Sequence, residues 1–155
     1  MSRRFNTAGL RRPGIDYMIP AAPRLPAAPG LIDQEGYFVV HAPRQTGKTT
    51  TPHALANELT AAGRYAALHF SCELGEAAGD DYGAAQLGIL GEIRRRAELA
   101  LPAELRPPVW PRASEADLLA AALTAWARTC PRPLVLFFID TVTSPAGRTI
   151  TVLRA

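Results

Sequence analysis

Cysteine is scarce in this sequence: Cys72 and Cys130 are the only two, and neither has a second cysteine or a histidine at metal-ligand spacing. A disulfide-stapled scaffold and a zinc finger are thereby disfavoured, and two buried thiols in a reducing compartment are the plain reading. Long apolar runs are also lacking. No stretch reaches the length needed to span a bilayer, and residues 1–30 carry arginines without the uninterrupted apolar region of a signal peptide, so the cytoplasm is the expected compartment. Nor is charge of one sign in large excess, since 17 basic residues face 14 acidic ones. Arginine dominates the basic set, in Arg3, Arg4, Arg11, Arg12 and Arg24 and again in Arg94, Arg95 and Arg96, but no aromatics interleave with these groups. A solvated surface accounts for them better than base stacking on nucleic acid does. What is present is 48% apolar and 20% charged residues over 155 positions, enough for about one globular domain with a real core.

The stretch around which the chain is organised runs from Tyr37 to Leu59. Tyr37, Phe38, Val39 and Val40 are aromatic and β-branched, favour a strand, and lie between Gly36 and Pro43. Ala42 to Thr49 then reads A-P-R-Q-T-G-K-T, the phosphate-binding pattern G-x-x-x-x-G-K-[ST] in all but its first position. Each part has a physical task. Gly47 lets backbone approach a phosphate, and the amides that follow open a helix whose free N–H groups and dipole face the anion. Lys48 reaches the β and γ phosphates, and the Thr49 hydroxyl faces the accompanying magnesium ion. Ala42 is tolerated where the local φ stays negative. The expected nucleotide-binding set is Pro43, Arg44, Gln45, Thr46, Gly47, Lys48, Thr49 and Thr50, with no catalytic group assigned. The competing reading is a basic turn before a helix, with Thr49 or Thr50 as a cap.

Residues 1–30 hold Pro13, Pro20, Pro23, Pro26 and Pro29 with Gly9, Gly14 and Gly30, which rules out a long helix or central strand. Their apolar residues, among them Phe5, Ile15, Tyr17 and Met18, predict an extended arm packed on the domain formed by residues 31–155. Tyr17 or Arg12 would flank a nucleotide base, although simple anchoring is the stronger reading. Leu31 to Glu35 suits one helical turn.

After the loop a helix is predicted to about Ala61, with Leu55, Ala56 and Leu59 inward and Gly63 stopping it at C′. Pro52 conflicts with regular helix there. Arg64 to Ser71 reads as a second strand, far enough from the first for a β-α-β crossover and hence a parallel sheet. His69 within it is better packed or hydrogen-bonded than catalytic. Glu73 to Tyr82 reads as a polar connection, with Asp80 or Asp81 as a helix cap in preference to a metal site built with Glu76. A helix from Tyr82 to Leu99 then turns Leu87, Leu90, Ile93 and Ala97 to one face and pairs Glu92 with Arg96. Trp110 pins a proline-rich loop, and Ser114 with Asp117 begins a helix to Thr129 whose inner face is Leu118, Leu119, Ala122, Leu123 and Trp126. Leu134 to Ile139, continuously apolar, is the strongest strand signal and predicts coverage on both faces.

Asp140 closes that strand, where a phosphate-loop protein needs a carboxylate for its magnesium shell. The metal set is therefore Thr49 and Asp140, with an ordinary strand-exit aspartate as the alternative for the latter. Thr141, Val142 and Thr143 follow, so no glutamate stands beside Asp140 to orient or deprotonate water.

The opening F-N-T-A-G-L-R-R-P-G-I-D-Y-M, Phe5 to Met18, and the loop A-P-R-Q-T-G-K-T-T, Ala42 to Thr50, together resemble bacterial and archaeal ATPases of the AAA type. In one branch of those proteins an F-N-T-x-G-P-C-x-P-x-x-H-Y-M opening accompanies such a loop, and the resemblance makes Ala42 an ordinary feature of it. The resemblance covers about residues 5–140 and implies ATP and Mg as ligands, a parallel sheet flanked by helices, and hydrolysis coupled to remodelling or signalling. It gives Lys48 and Thr49 the phosphate and magnesium roles and lets Phe5 to Met18 contribute to the base side. Leu10, Arg11 and Asp16 depart from the opening, and Ile139-Asp140-Thr141-Val142 stands where the family has D-E-x-D. Ala155 precedes the family's sensor strand, arginine finger and helical lid, so a truncated copy is expected. Thr149 to Leu153 has strand propensity, but its short link to the preceding strand permits only an antiparallel return.

The expected fold class is α/β: a P-loop NTPase-like three-layer α/β/α domain with a partial, mostly parallel sheet. The leading functional expectation is an ATP-binding domain with weak or no hydrolysis. An active ATP hydrolase is one alternative, and a non-nucleotide-binding interaction or remnant protein, with a protein partner or self-association through its sheet and arginine-bearing helix, is another. No membrane role is expected.

Overall fold

A computed structural model describes residues 25–34 and 50–139. The elements in order are α1 (Ala28–Asp33), α2 (Thr50–Ala61), β1 (Ala66–Ser71), α3 (Glu73–Glu76), α4 (Tyr82–Ala100), a 3-10 turn (Ala103–Leu105), α5 (Leu118–Thr129) and β2 (Leu134–Ile139). The described chain is thus mixed α/β, with a two-stranded sheet. β1 and β2 pair in parallel, from Ala66 opposite Leu134 to Ser71 opposite Ile139. Parallel neighbours need a crossover, and here α3, α4 and α5 supply it.

Side-chain alternation along the strands divides the interior in two. Ala66, Leu68 and Phe70 of β1, with Leu134, Leu136 and Phe138 of β2, face α4 and α5, where Ile89, Leu90, Ile93, Leu119, Ala122 and Trp126 close the main core. Phe137 points the other way, into a smaller cluster with Leu55 and Leu59 of α2 and Ala28 of α1. Helices therefore cover both faces of the sheet, as the continuous apolar run in β2 requires.

α2 ends as the sequence implies: the Ala62 N–H bonds back to the Glu58 carbonyl, and Gly63 follows with φ +81°, a left-handed position that glycine enters without strain. Pro52 is the third residue of the helix as described. Residue 48, four positions back, to which a helical N–H at Pro52 would bond, lies outside the described residues. Leu55 and Ala56 are buried and Leu59 half-buried.

Asp81, of the two aspartates considered, caps α4, its Oδ1 accepting from the Ala84 N–H at 2.8 Å. Leu90, Ile93 and Ala97 face inward as expected, but Leu87 does not and is 59% exposed. The inner stripe uses Ala85, Gln86 and Ile89 instead. β1 starts at Ala66, two residues later than its apolar pattern suggests, because Arg64 and Tyr65 turn outward to Asp33 of α1. Glu73–Glu76, read as a plain connection, forms a helical turn packed so closely on α4 that a Cβ at Gly88 would lie 3.3 Å from the Leu74 carbonyl oxygen. Ser114 and Asp117 do interact, through a 2.8 Å hydroxyl-to-carboxylate bond, but they form a turn and α5 begins only at Leu118.

Trp110 holds its loop as foreseen. Its ring meets Trp126 edge-on at 6.4 Å, the Arg94 guanidinium stacks 4.8 Å above it, and Arg94 also donates to the Pro108 carbonyl. Arg94 is therefore structural, while Arg95 and Arg96 both bind Glu92 at 2.8 Å. Burial alone would raise the Glu92 carboxyl, but the hydrogen bonds from Arg96 and Arg95 outweigh it and hold it below its ordinary range. Neither cysteine is in a disulfide; Cys72 is buried, but Cys130 is only half-buried.

Candidate functional site

Of the residues assigned to nucleotide binding, only Thr50 is described: it is the first residue of α2 and half-buried. Pro43, Arg44, Gln45, Thr46, Gly47, Lys48, Thr49 and Asp140, expected as the second metal residue, lie outside the described residues, as do the strand expected at Tyr37 to Val40, the arm up to residue 24 and the segment Thr149 to Leu153. What the structure does establish is the frame on which those segments are carried.

Two contacts fix the direction of α2. Near its start, His53 meets His69 towards the end of β1, with ring centroids 6.0 Å apart and the planes 86° to each other. Near its end, the Thr60 hydroxyl takes both polar groups of Ala67 near the start of β1, accepting from the N–H at 3.0 Å and donating to the carbonyl at 3.2 Å. α2 therefore runs antiparallel to β1. Because β1 and β2 are parallel, the start of α2 and the carboxyl ends of both strands lie at one end of the layers. Open α/β sheets bind their ligands at that end, where helix N-termini present unpaired N–H groups. In sequence, the loop Ala42 to Thr49 runs directly into α2, and Asp140 directly follows the last residue of β2.

Thr60 has a second consequence. The Ala66 N–H bonds to the Pro133 carbonyl towards β2, so the polar groups of Ala67, one residue on, point away from it. The Thr60 hydroxyl satisfies both, capping that side of β1 at Ala67 among the described residues. Arg132 ties the same corner down by donating to the Thr60 carbonyl at 3.3 Å.

The histidine contact was not legible in the sequence beyond the expectation that His69 is packed. It is packed, and its Nε2 is sealed from solvent without a hydrogen-bond partner. Burial, then His53, then Arg96 push His69 down to about 4. His53 is lowered as well, by burial and then by Arg96, and its Nδ1 stands 3.4 Å from the Asn57 side-chain nitrogen. Both imidazoles are thus held neutral at pH 7. A spacing of 16 residues between helix and strand leaves no periodic signal for such a pair.

Among the described residues no three His, Cys, Asp or Glu side chains gather as a metal site, and no helix is long and apolar enough to cross a membrane. Compared with protein-family models, curated proteins and solved structures, the chain has no match in any of the three.

Proposed function

We propose that the chain is a P-loop NTPase-like domain that binds ATP with Mg and hydrolyses it weakly or not at all. The observation that carries this reading is the coincidence of a near-complete phosphate-loop sequence, Ala42 to Thr49, with the helix it enters: α2 starts at the carboxyl end of a parallel sheet with helices on both faces. In this reading Gly47 and the following amides cradle the phosphates, Lys48 carries the positive charge to them, and Thr49 with Asp140 completes the magnesium shell. Thr50, in the first turn of α2, supports the loop from the helix side. The doubt about turnover rests on sequence: Thr141 follows Asp140 where a water-activating glutamate is needed. The resemblance to AAA-type ATPases in the opening segment and loop supports ATP and Mg as the ligands.

Lys48 is the only lysine in the sequence, which supplies a direct test. An amine-acylating reagent has two targets, the Lys48 Nζ and the terminal amine, and mass spectrometry separates them. Mg-ATP is expected to slow acylation of Lys48 while leaving the terminal amine unchanged. Equal modification of Lys48 with and without saturating Mg-ATP would contradict the reading.

A further inference from the structure

His53 and His69 occupy the seam between α2 and β1, and nothing in the nucleotide-site reading uses them. Their surroundings are unusual for a pair of ionisable rings. On β1, His69 presents an Nε2 that is sealed and unpartnered. On α2, His53 lies against it edge-on, with Asn57 one turn further along. On β2, the residue opposite His69 is Phe137, which carries no charge. From α4 the charge that reaches both rings is Arg96, whose own carboxylate partner, Glu92, is shared with Arg95. Among the described residues, then, an imidazolium here lies beside a second imidazole and an aromatic residue, with the positive charge of Arg96 acting on it from α4. The His69 Nε2 has no acceptor of its own. A proton on either ring is thus opposed by desolvation and by like charge, and the packed arrangement favours the neutral pair.

The structure points to a role for that arrangement: we propose that the His53–His69 contact is a proton-sensitive joint, through which acidification loosens the start of α2 and weakens binding at the loop that α2 carries. The second half rests on the nucleotide-binding reading; the first does not. The direction follows from linkage. Folded His69 resists protonation relative to the unfolded chain, whose histidines titrate near 6.5. The stability it contributes is complete above that value and is lost progressively as pH falls towards about 4. His53, three residues after Thr50 in α2, transmits the loss to the beginning of the helix.

The test compares wild type with His69→Phe and His53→Phe, which keep a ring at the seam and remove its proton site. The fall in urea midpoint between pH 7.5 and pH 5.0 is expected to be clearly larger for wild type than for either variant, and the His69 ring protons are expected to titrate far below the free-histidine midpoint. If one variant does not fold, the other and the wild-type ring titration decide. Equal falls in all proteins, or a His69 midpoint near that of free histidine, would overturn the joint. ATP dissociation constants at the same two pH values test the second half, where wild type is expected to lose more affinity than the variants. Equal losses would overturn the regulatory link while leaving nucleotide binding intact. Absence of ATP binding at both pH values would instead overturn the nucleotide reading, with the joint still decided by the urea series.

Discussion

Gln86 of α4 caps α5: its Oε1 accepts a hydrogen bond from the Leu119 backbone N–H at 2.9 Å, while its Nε2 donates to the Glu115 carbonyl and, at 3.5 Å, to the Tyr82 carbonyl. Leu119 is the second residue of α5, so the bond satisfies a helix-start N–H that has no partner within the helix. Gln86 is 1% exposed, yet all of its polar capacity used here goes to backbone. One buried amide thus sets how the two helices of the main core meet.

Replacing it tests that claim. Gln86→Leu keeps most of the volume and leaves the Leu119 N–H and the Glu115 carbonyl without this partner. A loss of about 2–3 kcal/mol is expected from urea denaturation, the size of leaving buried polar groups unsatisfied. A change under about 0.5 kcal/mol would mean that water or a local shift replaces the amide.

The glycines of α4 offer an opposite prediction. Gly91 sits inside the helix with only the Arg95 side chain, at 3.8 Å, near the place of an added Cβ. Gly91→Ala is therefore expected to stabilise the protein by roughly 0.5–1 kcal/mol, the helix-propensity difference. Gly88→Ala is expected to gain less in the same denaturation experiment, because its Cβ would press on the Leu74 carbonyl at 3.3 Å.

Much of the fold could be read from local pattern. β2 declared itself through six consecutive apolar residues, and Gly63 ended α2 from its type and place. Long-range polar choices could not be read in this way. Gln86 looks like any helix-surface residue until α5 is packed beside it, and Leu87, which completes an apolar stripe on paper, faces outward because Gln86 takes the inward position. Arg94 belongs to a triple arginine that suggested solvent, yet it stacks on Trp110, whose distance in sequence hides the pairing. The candidate site divides likewise. The residues proposed to grip phosphate follow from a motif, whereas the common end shared by the start of α2 and both strand ends comes from the contacts of His53 with His69 and of Thr60 with Ala67.

Nucleotide binding itself is tested most directly by calorimetric titration of Mg-ATP into wild type and Lys48→Ala. The account predicts a saturable heat for wild type that disappears in the variant while the variant keeps its fold by circular dichroism. No heat with wild type, or equal heats for the two proteins, would contradict it.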